Sequence, residues 1–312
     1  MTIPKDSKIY VAGHRGLVGS AVLRCLVSGG YTNLVVRTHQ ELDLLDQASV
    51  NAFFESEKSE YVFLAAAMVG GIQANNTYPA EFIYENLMVQ NNVMHAAHKE
   101  GAKWFCFLGS SCIYPRDCPQ PIKEDYFLSG PLEKTKEPYA VAKIAVIELF
   151  NVYNQGDGTR FVSVMPTNLY GPNDRYDLAK SHVLPALIRK AHEAKLRGDA
   201  ELVLWGSGKP YRKFLYVDDM ADACIFLMEN GIGEGMYNVG VGEDVTIREL
   251  AQTVMEVIGF QGQIVFDASK PDGTPRNLMD VARMTGLGLK TKTLLSDGIK
   301  FAYEDFLQRN LN

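Results

Sequence analysis

The chain has 312 residues, of which 46% are hydrophobic and 22% charged, ordinary values for a globular protein with room for one large core and a smaller lobe. No apolar run is long enough to span a bilayer, and the opening residues Met1 to Lys8 lack the apolar centre of a signal peptide, so a cytoplasmic protein off the membrane is expected. A net charge of −6 argues against general nucleic-acid binding, and five cysteines without Cys-x-x-Cys spacing point to reduced thiols, with neither a disulfide framework nor a metal site.

Residues 8–13 read as a buried strand, and apolar residues at helical spacing run from Gly16 to Ser28. Between them lies Gly13-His14-Arg15-Gly16-Leu17-Val18-Gly19. In a strand, turn, helix context such glycines permit a tight turn and let backbone N–H groups approach a pyrophosphate, so this segment is expected to hold a dinucleotide. A second strand covers residues 33–36. After it, where a carboxylate would hold the ribose of NAD, stand Arg37 and Thr38, with no acid before Glu41. A cation there suits a 2′-phosphate, so NADP(H) is expected over NAD(H), although an arginine on a surface loop would look the same. Asp43 and Leu44 are expected to border the adenine.

Short apolar runs follow at residues 61–66, 104–108 and 161–165, each after a stretch of helical composition. Strands alternating with helices imply right-handed crossovers and a parallel sheet, hence a doubly wound α/β Rossmann fold. From Tyr170 the pattern changes, with a helix expected over Val183 to Arg197, a strand over Leu202 to Trp205, and a return to the sheet at residues 214–217 and 236–239. Thr246-Ile247-Arg248-Glu249 reads as a capping box. The expected division is a nucleotide-binding domain of residues 1–169 plus about 214–246, and a smaller α/β substrate lobe of about 170–213 plus 247–312.

Two segments carry carbonyl chemistry. Gly109-Ser110-Ser111-Cys112-Ile113-Tyr114-Pro115 supplies an alcohol, and Tyr139 with Lys143, four residues apart among good helix formers, supplies a phenol and an amine on one helix face. A lysine cation is expected to draw the phenol down from its ordinary pKa of ~10 toward useful acid–base chemistry. The same spacing also arises as a solvated lysine beside a half-buried ring. Eight basic residues against three acids between Lys180 and Lys213 suit an anionic substrate, with Trp205 to pack on a ribose or base and Arg212 to hold phosphate; a solvated helix face accounts for Lys195 and Arg197. These residues leave open an NADPH-dependent reductase, an NAD-dependent nucleotide-sugar 4-epimerase or dehydratase, and a non-catalytic NADP-binding sensor.

With Met165 to Pro172 added to the glycine turn and the Ser110, Tyr139 and Lys143 set, nearly the whole chain resembles the extended short-chain dehydrogenase/reductases that act on nucleotide sugars. Ala65 to Ile72, Gly109 to Pro115, Ser181-His182-Val183 and Lys270 to Pro275 are similar to the members that convert GDP-4-keto-6-deoxy-D-mannose to GDP-L-fucose with NADPH. The resemblance implies a two-domain protomer that pairs as a homodimer through sheet-flanking helices. It assigns Tyr139 as proton donor with Ser110 and Lys143 as partners, and Cys112 with His182 as the pair that inverts C3 and C5. Leu108, Gly109, Ser110 and Ser111, then Pro166, Thr167, Asn168 and Leu169, would line the nicotinamide, with Tyr139, Lys143 and His182 also bordering the cofactor. Lys190, Trp205, Arg212 and Asp272 would contact the nucleotide sugar, Lys190 standing where the resemblance leads one to expect arginine. From composition alone Cys112 reads rather as a small apolar packing residue, and it is the resemblance that turns the reading toward catalysis.

Overall fold

The computed structural model describes residues 3–178, 181–270, 272 and 278–310. Lys180 and, from the segment Lys270 to Pro275, positions 271 and 273–275 lie outside the described residues. Six parallel strands, β1 (Ile9–Ala12), β2 (Leu34–Val35), β3 (Tyr61–Leu64), β4 (Trp104–Leu108), β5 (Phe161–Pro166) and β10 (Met236–Val239), form the central sheet in the order β10-β5-β4-β3-β1-β2. Side chains alternate across each strand and so serve two cores: on β4, Phe105 and Phe107 face one side while Trp104, Cys106 and Leu108 face the other. Helices α1 (Leu17–Ser28) and α7 (Val217–Glu229) cover the second face. The first is covered by α2 (Gln47–Glu57), α4 (Pro79–Lys99) and α5 (Glu137–Asp157), with the short α3 (Ile72–Thr77) leading into α4. The strand order reverses direction between β1 and β3, the crevice where open α/β sheets take their ligands.

A separate core gathers α6 (Val183–Arg197), α8 (Ile247–Ile258) and α10 (Leu295–Asn310) around β7 (Glu201–Trp205) and β12 (Gln263–Asp267), a parallel pair. Two further pairs complete the strands, β6 (Asn168–Tyr170) with β9 (Phe214–Tyr216) and β8 (Tyr211–Arg212) with β11 (Val245–Thr246); α9 (Ala282–Gly286) lies before α10. The expected return of residues 214–217 to the central sheet is therefore corrected. Strand β9 pairs with β6 after the chain has left β5, and it straddles two cores, Leu215 packing beneath the sheet while Phe214 and Tyr216 pack in the lobe. Residues 236–239 do join the sheet, and Thr246 with Glu249 closes the expected capping box on α8.

The lobe meets the sheet's helices through Asn173, whose side chain donates to Ser20 Oγ on α1 at 3.1 Å and whose backbone N–H donates to Asp305 on α10 at 3.0 Å. Beside it Asp174 is buried, with Oδ2 lacking a hydrogen-bond partner among the described residues. Burial raises its pKa to about 7, against the pull of the Arg175 amide and the Arg309 cation. A carboxyl raised in the folded state is destabilising when ionised, and the penalty builds from the unfolded pKa of ~3.9 until pH passes the folded value. Asp174→Asn should therefore raise the thermal unfolding midpoint most at about pH 8 and progressively less toward about pH 5, measured by calorimetry across that range.

Candidate active site

The dinucleotide segment turns tightly because Gly13 holds φ at +82° and Gly16 N–H donates to the Gly13 carbonyl at 3.0 Å. A Cβ on Gly13 would stand 2.7 Å from the Ala66 amide at the end of β3, and one on Gly19 would stand 2.2 Å from the Gly13 carbonyl oxygen. Only hydrogen fits at these places, which brings strand, turn and helix close enough for a phosphate to reach the backbone N–H groups at the start of α1. His14 Nδ1 and, after β5, Thr167 Oγ1 are buried without a partner among the described residues. Both lie in segments expected to border a dinucleotide, so cradle and polar groups fit such a cofactor. Arg15 is exposed at the turn.

Arg37 sits beyond β2 as expected, but it has a carboxylate neighbour that chain order did not reveal. Its Nη2 lies 2.6 Å from Glu57 Oε1 and its Nη1 donates to Val36 O at 2.8 Å, so the guanidinium is oriented while keeping partial exposure. Glu41, which accepts from Thr38 N–H at 2.7 Å, lies in the field of both Arg15 and Arg37, and its pKa is lowered mainly by the Thr38 hydrogen bonds. Asp43 accepts from Leu45 N–H at 3.0 Å, and Leu44 packs against the core.

At the end of β4 the chain turns through Gly109, where a Cβ would clash with Met165 at 2.3 Å, into a 3-10 turn over Ser111–Ile113. Ser110 Oγ caps it by accepting from Cys112 N–H at 3.3 Å. Tyr139 lies in the first turn of α5, and one turn on Lys143 is buried, its Nζ donating to Leu108 O at 2.9 Å. The ammonium also lies 4.5 Å from the Phe107 ring centre and 5.6 Å from that of Tyr139. Cys112 is in electrostatic reach of both Tyr139 and Lys143. Ser110, Cys112, Tyr139 and Lys143 thus form one cluster.

The lysine does not lower the phenol as expected. Burial, the largest cause, pushes Tyr139 above its ordinary value; Cys112 adds to the rise and the nearby Ser110 hydroxyl opposes it. Burial also brings Lys143 down to about 7, with Cys112 opposing. Desolvation is the missing element of the sequence argument, because it penalises both charged forms and is invisible in a spacing of four residues.

His182 is the N-cap residue of α6, exposed on one side yet crowded by protein, and burial with the Lys136 cation lowers its pKa. Lys136 is the N-cap residue of α5, so His182 lies in the field of the start of the helix that carries Tyr139. In the lobe, Lys190 Nζ lies 5.7 Å from the ring centre of Trp205, which is 66% exposed. Burial lowers the pKa of both Lys190 and Arg212, and Asp272 opposes it at Arg212. Sequence reasoning missed two residues of α4. Phe82 packs edge-on against Tyr139 with ring centres 6.2 Å apart, and Asn86 clamps Met68 through bonds of 3.1 and 3.0 Å. Their signal, polar and aromatic residues one turn apart on a buried helix face, becomes readable only once α5 is packed alongside.

The parallel six-stranded Rossmann sheet agrees with the comparisons. Residues 9–240 match the model of the NAD dependent epimerase/dehydratase family, and the chain belongs to that family. Within it the chain falls in the GDP-L-fucose synthase branch. It is 55% identical to GDP-L-fucose synthase 1 of Arabidopsis thaliana over 99% of this chain and 95% of that one. With GDP-L-fucose synthase of Escherichia coli the identity is 52%, over 96% and 97% of the two chains. A crystal structure of a GDP-L-fucose synthetase from Naegleria fowleri bound to NADP superposes with a TM-score of 0.93 at 31% identity, covering 100% and 96%.

Because burial and then the Lys136 cation hold His182 down, Lys136→Gln should raise the imidazole pKa, read as an upward move of the midpoint in an NMR titration of the His182 ring; an unmoved midpoint would remove Lys136 from its field.

Proposed function

We propose that the protein converts GDP-4-keto-6-deoxy-D-mannose to GDP-L-fucose, first inverting C3 and C5 and then reducing C4. The observation that carries this reading is the meeting of Cys112 with Ser110, Tyr139 and Lys143 at the end of β4, in a chain of the GDP-L-fucose synthase branch. Ser110, Tyr139 and Lys143 alone serve any carbonyl reductase; a thiol two residues past the serine adds a group able to take a proton from carbon next to the carbonyl.

The 4-keto group acidifies the hydrogens on C3 and C5. Cys112, as thiolate, takes one of them to leave an enolate, and His182 returns a proton to the opposite face, inverting the carbon. Ser110 and Tyr139 hydrogen-bond O4 throughout, holding charge first on the enolate oxygen and then on the alkoxide. NADPH, when bound, supplies the hydride that C4 receives. Tyr139 gives its proton to O4, and Lys143, near its midpoint at neutral pH, offers the phenol a compensating charge. His182, with its lowered pKa, is a strong acid when protonated but is mostly neutral above its midpoint, so proton return favours the acidic side of neutrality.

The cofactor turn and Arg37 would hold NADPH, while Lys190, Trp205 and Arg212 would hold the GDP portion. The chain would divide into a nucleotide-binding domain of residues 1–169 with about 214–246, and a substrate lobe of the remainder. Exposed Tyr84 on α4 and Val141 and Val152 on α5 suit pairing of two copies across these helices. Free thiols suit work in the cytoplasm.

Purified protein given GDP-4-keto-6-deoxy-D-mannose should oxidise NADPH and yield GDP-L-fucose by NMR; no net NADPH consumption would sink the reading. Cys112→Ser should slow solvent exchange at C3 and C5 at least about 100-fold while leaving NADPH affinity within about twofold. Exchange at the wild-type rate would remove Cys112 from the chemistry. Arg37→Ala should raise the KM for NADPH by about tenfold or more and leave that for NADH nearly unchanged.

A further inference from the structure

We propose that Lys270 is a second cation gripping the diphosphate of the GDP-sugar, at Trp205 as Lys190 is, and that Asp272 is the staple that holds this grip in place rather than a nucleotide contact. The inference rests on the GDP-sugar reading above. Strands β7 and β12 are paired in register, Asp267 beside Trp205, so the segments leaving them run side by side. Three bonds tie those segments together. Gly206 N–H donates to Asp267 O at 3.0 Å, Ser207 N–H to Asp272 Oδ1 at 2.8 Å, and Ser207 Oγ to Asp272 Oδ2 at 2.6 Å. Gly206 has φ of +78°, and a Cβ there would lie 2.2 Å from Asp272 Oδ1, so the carboxylate is seated directly on this turn.

Both oxygens of Asp272 are thereby engaged by Ser207, with Lys209 and Arg212 adding to the low pKa. A bare carboxylate beside a diphosphate would repel it; this one has its charge met by protein donors. Lys270 is set by a turn of its own. Asp267 Oδ1 accepts from Ser269 N–H at 3.0 Å and from Ser269 Oγ at 2.6 Å, and Lys270 N–H donates to Asp267 O at 3.2 Å. From there Lys270 Nζ lies 5.5 Å from the Trp205 ring centre, matching Lys190 Nζ at 5.7 Å. Both ammonium groups stand at one exposed indole, so an anion bound there is within reach of two cations. A diphosphate supplies such an anion, while the indole offers its face to the attached ribose or base.

The test is calorimetric titration with GDP and with guanosine on wild type, Lys270→Gln, Lys270→Arg, Ser207→Ala and the Lys270→Gln/Ser207→Ala double variant. Lys270→Gln should weaken GDP by about tenfold at low salt, leave guanosine and NADPH unchanged, and be largely rescued by arginine. Ser207→Ala should weaken GDP several-fold alone and add little in the Lys270→Gln background, because both act through one grip. GDP binding to Lys270→Gln within about twofold of wild type would overturn the role of Lys270. Wild-type affinity in Ser207→Ala would overturn the staple. A wild-type protein that binds no GDP would overturn the substrate reading itself.

Discussion

The buried ammonium of Lys143 is the constraint on which the rest of the site depends. Placing a lysine under the end of a parallel sheet costs several kcal/mol unless it finds partners. Here the partners are the Leu108 carbonyl, the face of Phe107 and the nearby Cys112. The bond to Leu108 ties α5 to the last residue of β4, immediately before the turn that carries Ser110 and Cys112. Tyr139, one helical turn earlier, is fixed against the same turn by this tie and by Phe82 on its other side. Two segments about thirty residues apart in sequence thereby become one cluster of side chains.

The remaining desolvation leaves Lys143 with a pKa of about 7, so its charge is sensitive to whatever enters the site. An anionic group nearby would favour the cation, and the cation would in turn favour loss of the Tyr139 proton. The phenol's raised pKa keeps it protonated, the state a proton donor requires. Burial, which looks like an obstacle to acid–base chemistry, thus keeps the phenol protonated and places the lysine near its midpoint at neutral pH.

Much of this was legible in the sequence because it is local. The glycine turn needs only a strand before it and a helix after it, and β4 and β10 are bounded as the apolar runs suggest. Residues 214–217 read as a return to the central sheet because a short apolar run looks the same there or in a side pair; only Phe214 and Tyr216 packing against the lobe decides it. Glu57 escaped notice because it reaches Arg37 across twenty residues and the full length of α2. The sign of the Tyr139 shift depends on burial, which spacing does not encode. In the lobe, a lysine and a carboxylate two positions apart, Lys270 and Asp272, have opposite tasks that only the turn at Gly206 separates.

The sheet carries the glycine turn and the cluster of Ser110, Cys112, Tyr139 and Lys143, whereas in the lobe Lys190 and Lys270 stand at the exposed indole of Trp205. In the proposed reaction one site inverts two carbons before it reduces a third. Running the reaction to completion in D2O with unlabelled NADPH and locating deuterium in the sugar by NMR tests it most directly. Solvent deuterium is expected at C3 and C5, and protium from the cofactor at C4. A product reduced at C4 with no solvent deuterium at C3 or C5 would contradict it.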